Sequence, residues 1–256
     1  MNNANPPRTL RTGAIALAVS MLLCATPAPV AGATAPLAGS SQWAAGALGG
    51  SSAAALRAAA STSSFADISA GAPFAAEIYW LADKGISTGW PEPDGTRTYR
   101  PLAPVNRDAM AAFMHRLEGA PDFSPPLVSP LVDVAPVDMF FKEIIWITAS
   151  NISTGWDEGN GTTSYRPGQA VNRDAMAAFM YRLAERPAFT PPTMSPFADV
   201  PTDSLFYHEI TWLAAQGIST GWAEADGSRT FRPLQPVNRD AMAAFMYRFI
   251  SKSSWV

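Results

Sequence analysis

Cysteine is almost missing from this chain of 256 residues: the single copy, Cys24, stands near the N-terminus. A disulfide framework and a cysteine-built metal site are thereby excluded for everything after it. Histidine occurs twice and lysine three times, at Lys84, Lys142 and Lys252. Two histidines and no cysteine after Cys24 leave little for a nucleophilic triad, although G-x-S-x-G spacing does occur at Gly85–Gly89 and Gly217–Gly221. No apolar run is long enough to cross ~30 Å of hydrocarbon. The nearest approach, Gly13 to about Ala25, follows Arg8 and Arg11 and leads through Pro27 and Pro29 to Ala31-Gly32-Ala33. That order reads as a secretory signal peptide over 1–33, cut at an A-x-A site, with no membrane insertion afterwards. Residues 34–64, rich in Ala, Gly and Ser, read as a flexible tether with a short helix near Ala53 to Ala60.

Without the two N-terminal arginines, 16 basic residues face 21 acidic ones, a formal charge of −5 that argues against a nucleic-acid coat. Nine of the thirteen remaining arginines fall at three positions of a repeat. The string VNRDAMAAFM occurs at Val105 to Met114, Val171 to Met180 and Val237 to Met246, a period of 66 residues. Phe65-Ala-Asp67 aligns with Leu131-Val-Asp133 and Phe197-Ala-Asp199, and ISTGW recurs from Ile86, Ile152 and Ile218. Self-similarity of this kind marks one supersecondary unit packed against copies of itself.

Within a unit, Phe74, Ile78 and Leu81 space out one apolar helix face, and Gly85, Asn151 and Gly217 are the residues that close a helix in the left-handed conformation. A second helix starts at Asn106, Asn172 and Asn238, whose side chains suit the N-cap, and buries Met110, Phe113, Met114 and Leu117. Between the helices, Asp94-Gly95, Asn160-Gly161 and Asp226-Gly227 predict tight two-residue hairpin turns. The expected organisation is three helix–hairpin–helix units, 65–118, 131–185 and 197–250, in a mainly α chain. Proline-rich connectors at 119–130 and 186–196 read as extended straps pinned by Phe123 and Phe189.

This order of motifs resembles the S-layer homology domain in three tandem copies. The resemblance implies a pseudo-threefold spindle with grooves between neighbouring units. It further implies non-covalent anchoring of an exported protein to an anionic, often pyruvylated, secondary polymer of a Gram-positive cell wall. The family's T-R-A-E helix start reads Asn106-Arg107-Asp108-Ala109 here, so the acid moves one place and the reciprocal capping box is lost.

Arg107, Arg173 and Arg239 open the second helices, where free N–H groups and the dipole favour an anion and a guanidinium can grip a carboxylate; the alternative is a surface ion pair. An alanine at that place in a capped helix costs little, so these arginines read as dispensable for folding. Arg100, Arg166 and Arg232 supply either a second positive arm or bonds to loop carbonyls. Trp90, Trp156 and Trp222 either stack on a sugar or plug the hairpin, with Gly89 and its equivalents admitting a close neighbour. With Asn106, Asn172 and Asn238 these make up the candidate ligand-binding set. Glu92, Glu158 and Glu224 fit a solvated turn or a calcium ligand, but lack the spacing of an EF-hand. Arg116, Arg182 and Arg248 complement the helix dipole, and Trp80, Trp146 and Trp212 pack.

The function expected is a secreted, wall-binding, non-catalytic module with no cofactor. A surface-layer protein that assembles through its repeats and a cryptic wall-glycan hydrolase are the other readings. Secreted material is expected to begin at Thr34; mass spectrometry finding any other N-terminus removes the cleavage assignment.

Overall fold

The computed structural model describes residues 65–252, so the segment 1–33 expected to be a signal peptide, the Ala/Gly/Ser-rich segment and Cys24 lie outside the described residues. The first unit holds α1 (Ala75–Asp83), β1 (Trp90–Pro91), β2 (Arg97–Thr98) and α2 (Arg107–Leu117). The second holds α3 (Phe141–Ala149), β3 (Trp156–Asp157), β4 (Thr163–Ser164) and α4 (Arg173–Leu183). The third holds α5 (Tyr207–Ala215), β5 (Trp222–Ala223), β6 (Arg229–Thr230) and α6 (Arg239–Ile250). The mainly α expectation is met only in part, because the structure is 32 % helical and much of the rest is loop.

The first helix of each unit ends as its sequence requires. Gly85 and Gly217 take φ 67° and Asn151 takes φ 53°. In the first unit the Gly85 N–H donates to Ala82 O and the Ile86 N–H to Leu81 O, the paired bonds that satisfy the last carbonyls of a helix. The start differs from the expectation. Phe74, Phe140 and Phe206 stand one residue outside their helices, at φ 57°, 61° and 60°. A bulky residue in that conformation is strained.

The hairpins pair Trp90 with Thr98 and Pro91 with Arg97, and the other two repeat that register. Their loops are three residues long rather than two. The Glu92 N–H donates to Thr96 O at 2.9 Å across Pro93-Asp94-Gly95, with Gly95 at φ 83°. A turn followed by a left-handed glycine is the common three-residue solution. Asp94 Oδ1 adds bonds from the Thr96 N–H and hydroxyl.

Successive units interlock in a closed cycle. The Val171 N–H donates to Val105 O at 2.9 Å, Val237 to Val171 at 2.8 Å, and Val105 back to Val237 at 2.9 Å. All three valines are 1 % exposed. Outside this ring each second helix packs on the first helix of the following unit: α2 on α3, α4 on α5, and α6 on α1. That contact accounts for a burial the periodicity understates. Besides Met110, Phe113 and Met114, the pairs Ala111-Ala112 and Ala177-Ala178 are buried, because their small side chains let a neighbouring element close over a second face. Phe123 and Phe189 pack on this common core, so the connectors are held by their aromatic residues as expected.

Each buried Met, Phe or Ile side chain contributes roughly 1.5–3 kcal/mol, and a single unit leaves many of them uncovered. Residues 131–185 produced alone are therefore expected to lack a stable monomeric fold. Circular dichroism with sedimentation would contradict this by showing a cooperative, helical monomer.

Candidate functional site

The functional geometry grows from the way the second helices begin. A helix leaves its first N–H groups without internal partners, and here the next unit supplies them. The Arg107 N–H donates to Gln169 O at 2.9 Å and the Asp108 N–H to Pro167 O at 3.1 Å. The Ala109 N–H is taken by Asp108 Oδ1 at 2.6 Å. The same bonds recur from Arg173 and Asp174 to Gln235 and Pro233, and from Arg239 and Asp240 to Ala103 and Pro101. Asn106, Asn172 and Asn238 hold the cap position, but their side chains make no capping bond. The first-turn N–H groups read from sequence as an anion cradle are therefore occupied by the protein itself, two by backbone carbonyls and one by the Asp108 carboxylate.

The side chains of the opening arginines cross the same junction. Arg107 donates through Nε to Tyr165 O at 2.8 Å and through Nη2 to Ser153 Oγ at 2.7 Å. Arg173 meets Phe231 O and Ser219 Oγ, and Arg239 meets Tyr99 O and Ser87 Oγ. Each arginine is 5 % exposed. Neither a surface ion pair nor a dispensable helix start describes them. Burial pulls their pKa down, to about 10 for Arg173, which leaves the groups charged at neutral pH. Tyr165 and Tyr99 return a bond from their hydroxyls to Arg107 O and Arg239 O, both at 3.0 Å. Phe231 has no hydroxyl to return.

Each hairpin tryptophan carries two guanidinium groups. Arg239 lies 4.2 Å and Arg100 4.6 Å from the Trp90 ring centre. Arg107 and Arg166 lie over Trp156, and Arg173 and Arg232 over Trp222, at 4.2–4.4 Å. The outer arginine is fixed further by Glu92, Glu158 or Glu224 at 3.1–3.2 Å. Thr98, Ser164 and Thr230 donate their hydroxyls to the same carboxylates, which sit below the usual carboxylate range as a result. These glutamates clasp the hairpin. Arg100, Arg166 and Arg232 adopt φ 58–59°, a conformation stabilised by Asp67, Asp133 and Asp199. Asp67 accepts the Tyr99 N–H at 2.7 Å and the Arg100 N–H at 2.6 Å, and the other two act alike. The close neighbour at Gly89 belongs to the chain itself, since a methyl group there would overlap the Thr98 carbonyl and the Phe65 ring.

Grooves open beside these junctions. One, of about 420 Å³, brings together Arg239, Trp90, Arg100 and Asn106 from the candidate set, with Thr88 and Asp108. A second, of about 270 Å³, holds Arg107, Trp156 and Asn172 with Thr154 and Asp174. Arg166 and Arg232 stay with their tryptophans, and Asn238 pairs with Pro104 across the 3–1 junction. Three groove features were missed in the sequence. Arg116 and Arg182 donate to the carbonyls of Ile86 and Ile152 and line the walls rather than only ending a helix. Met139-Phe140 and Leu205-Phe206 close the grooves from the following unit. Asp108 and Asp174 face in from the first helical turn. The recurrence of Arg116 and Asp108 was a signal for both; Met139 and Leu205 gave none.

Residues 64–111 and 130–177 match the family model of the S-layer homology domain. No match extends over the third copy of the motifs, at 197–250. Domains of this family are binding and anchoring domains that attach to cell walls through secondary wall polymers, and proteins carrying them are typically associated with the cell surface. No curated protein matches the chain. Among the described residues no helix is long and apolar enough to cross a membrane, and no cluster of His, Cys, Asp and Glu could hold a metal ion.

Arg107→Ala removes two charge-assisted bonds across a junction and empties space above Trp156, so it is expected to cost about 2–4 kcal/mol. Urea denaturation should show this loss for Arg107 and Arg239. A variant as stable as the parent would show that the crossing bonds contribute nothing net.

Proposed function

We propose that this chain is a non-catalytic anchoring module, exported to the cell surface, that holds an anionic secondary polymer of a Gram-positive wall in the grooves between its units. One observation carries this reading. Arg107 and Arg239 use Nε and Nη2 within the protein, while Nη1 takes no acceptor among the described residues and is not sealed from solvent. A rigid, charged donor held at a groove floor suits a carboxylate, and a pyruvylated sugar supplies one beside a glycan chain. The family match over two of the three units supports the same ligand class.

The buried guanidinium also decides how the reading is tested. Replacing Arg107, Arg173 and Arg239 together would weaken the fold and the site at once. Thr88, Thr154 and Thr220 are exposed, and the first two line the grooves described above. The variant T88W/T154W/T220W fills that space at little cost in stability, since exposed substitutions typically stay within about 0.5 kcal/mol. The parent is expected to sediment with intact sacculi and to stay in solution with sacculi stripped of secondary polymer. The tryptophan variant, equally stable, is expected to lose at least tenfold in affinity. Equal sedimentation of the parent with intact and stripped sacculi, or undiminished binding by the variant, would remove the proposal.

A further inference from the structure

We infer that Asp108, Asp174 and Asp240 are specificity-determining residues: each carboxylate accepts a hydrogen bond from a hydroxyl or amide N–H of the bound polymer, so that the groove selects a sugar bearing both an acid and a donor. This rests on the proposed wall-binding function and names the chemistry of the same site.

Asp108 stands in the first turn of α2 and is about half-buried. Its one hydrogen bond comes from the Ala109 N–H to Oδ1, and no cation lies within ion-pair distance of it among the described residues. Asp174 and Asp240 repeat this state through Ala175 and Ala241, each at 2.6 Å. A carboxylate can accept about four hydrogen bonds, so most of its capacity stays open. Asp108 and Asp174 lie in grooves also lined by apolar side chains, and partial burial raises the pKa of all three carboxylates.

The charges around it explain why a plain anion is a poor fit. Arg239 at the end of the preceding junction, Arg100 after β2 and Arg116 on α2 itself line the groove with Asp108. Arg100 is committed to Glu92, and Arg116 spends Nη1 on Ile86 O. Tyr165 of the next unit is near enough for its ionisation to be opposed by Asp108, and Asp240 stands in the same relation to Tyr99. Arg107 and Arg182 line the groove with Asp174, and Arg182 likewise spends Nη1, on Ile152 O. Each groove thus offers guanidinium N–H donors and a single carboxylate, with the Asn106 or Asn172 amide and the Thr88 or Thr154 hydroxyl beside them. A polyphosphate satisfies the first and is repelled by the second. An acidic sugar satisfies the guanidinium with its carboxylate and the aspartate with a hydroxyl or acylamino N–H.

The test uses the whole secreted protein and sacculi that retain their secondary polymer, with glucuronic acid and inorganic phosphate as soluble competitors. In D108N/D174N/D240N the amide oxygen still takes the Ala109-type N–H, so the melting temperature is expected to change by no more than a few degrees. Affinity for sacculi is expected to fall at least tenfold, and glucuronic acid is expected to displace the parent at lower concentration than phosphate. Parent binding should also weaken as the pH is lowered through a range above that of an ordinary carboxylate, a step missing from the asparagine variant. Should that variant fail to fold, the parent's pH profile and competitor order decide alone. Parent-like affinity of the variant, or a flat parent profile with phosphate the better competitor, would overturn the assignment and leave the proposed function standing. A parent that binds no sacculi would overturn both.

Discussion

Every second helix of this protein begins in backbone belonging to another unit. The N–H groups of Arg107 and Asp108 end on carbonyls of the second unit, those of Arg173 and Asp174 on the third, and those of Arg239 and Asp240 on the first. Because unpaired backbone donors are costly to bury, the units cannot separate without exposing or orphaning them. The valine ring seals the inner side of the same arrangement. From this constraint the rest follows: the opening arginine is aimed across the junction, the hairpin of the next unit receives it, and a groove is left beside the crossing.

A guanidinium buried without a carboxylate is an unusual choice. The protein balances its lost hydration with a loop carbonyl, a serine hydroxyl and aromatic rings at 4.2–5.5 Å. Pairing it with an acid would neutralise the site. Leaving it without an acid keeps the site charged, which is what the proposed binding of an anionic polymer requires. The three junctions are not identical, because Phe231 replaces the tyrosines that return a hydroxyl bond. The junction at Arg173 therefore lacks one tie that the others have.

Much of the fold was legible because its causes are local. Gly85, Asn151 and Gly217 close helices since few other residues take a left-handed conformation without strain. The three Asp/Asn-Gly pairs announced hairpins for the same reason, although the loop proved one residue longer. Asp67, Asp133 and Asp199 cap a loop that lies 32 residues further on. No local pattern carries that distance. The first-turn cap misled in a similar way: asparagine at the cap position suggested a self-contained helix start, and the bonds went instead to a neighbouring unit.

The sequence alone determined the three units, the ends of their first helices, the position of the hairpins and the residues whose recurrence marks shared geometry. These are matters of period, backbone preference and identity, all written within a few residues. The tertiary structure decided what the recurring residues do. Whether Arg107 faces solvent or a neighbour, whether Trp90 offers its face or already carries two cations, and whether Asp108 is paired depend on contacts between segments up to 152 positions apart. The sequence repeats Arg107, Trp90 and Asp108 in every unit, but only closure of the cycle brings the third unit against the first and gives those residues their partners.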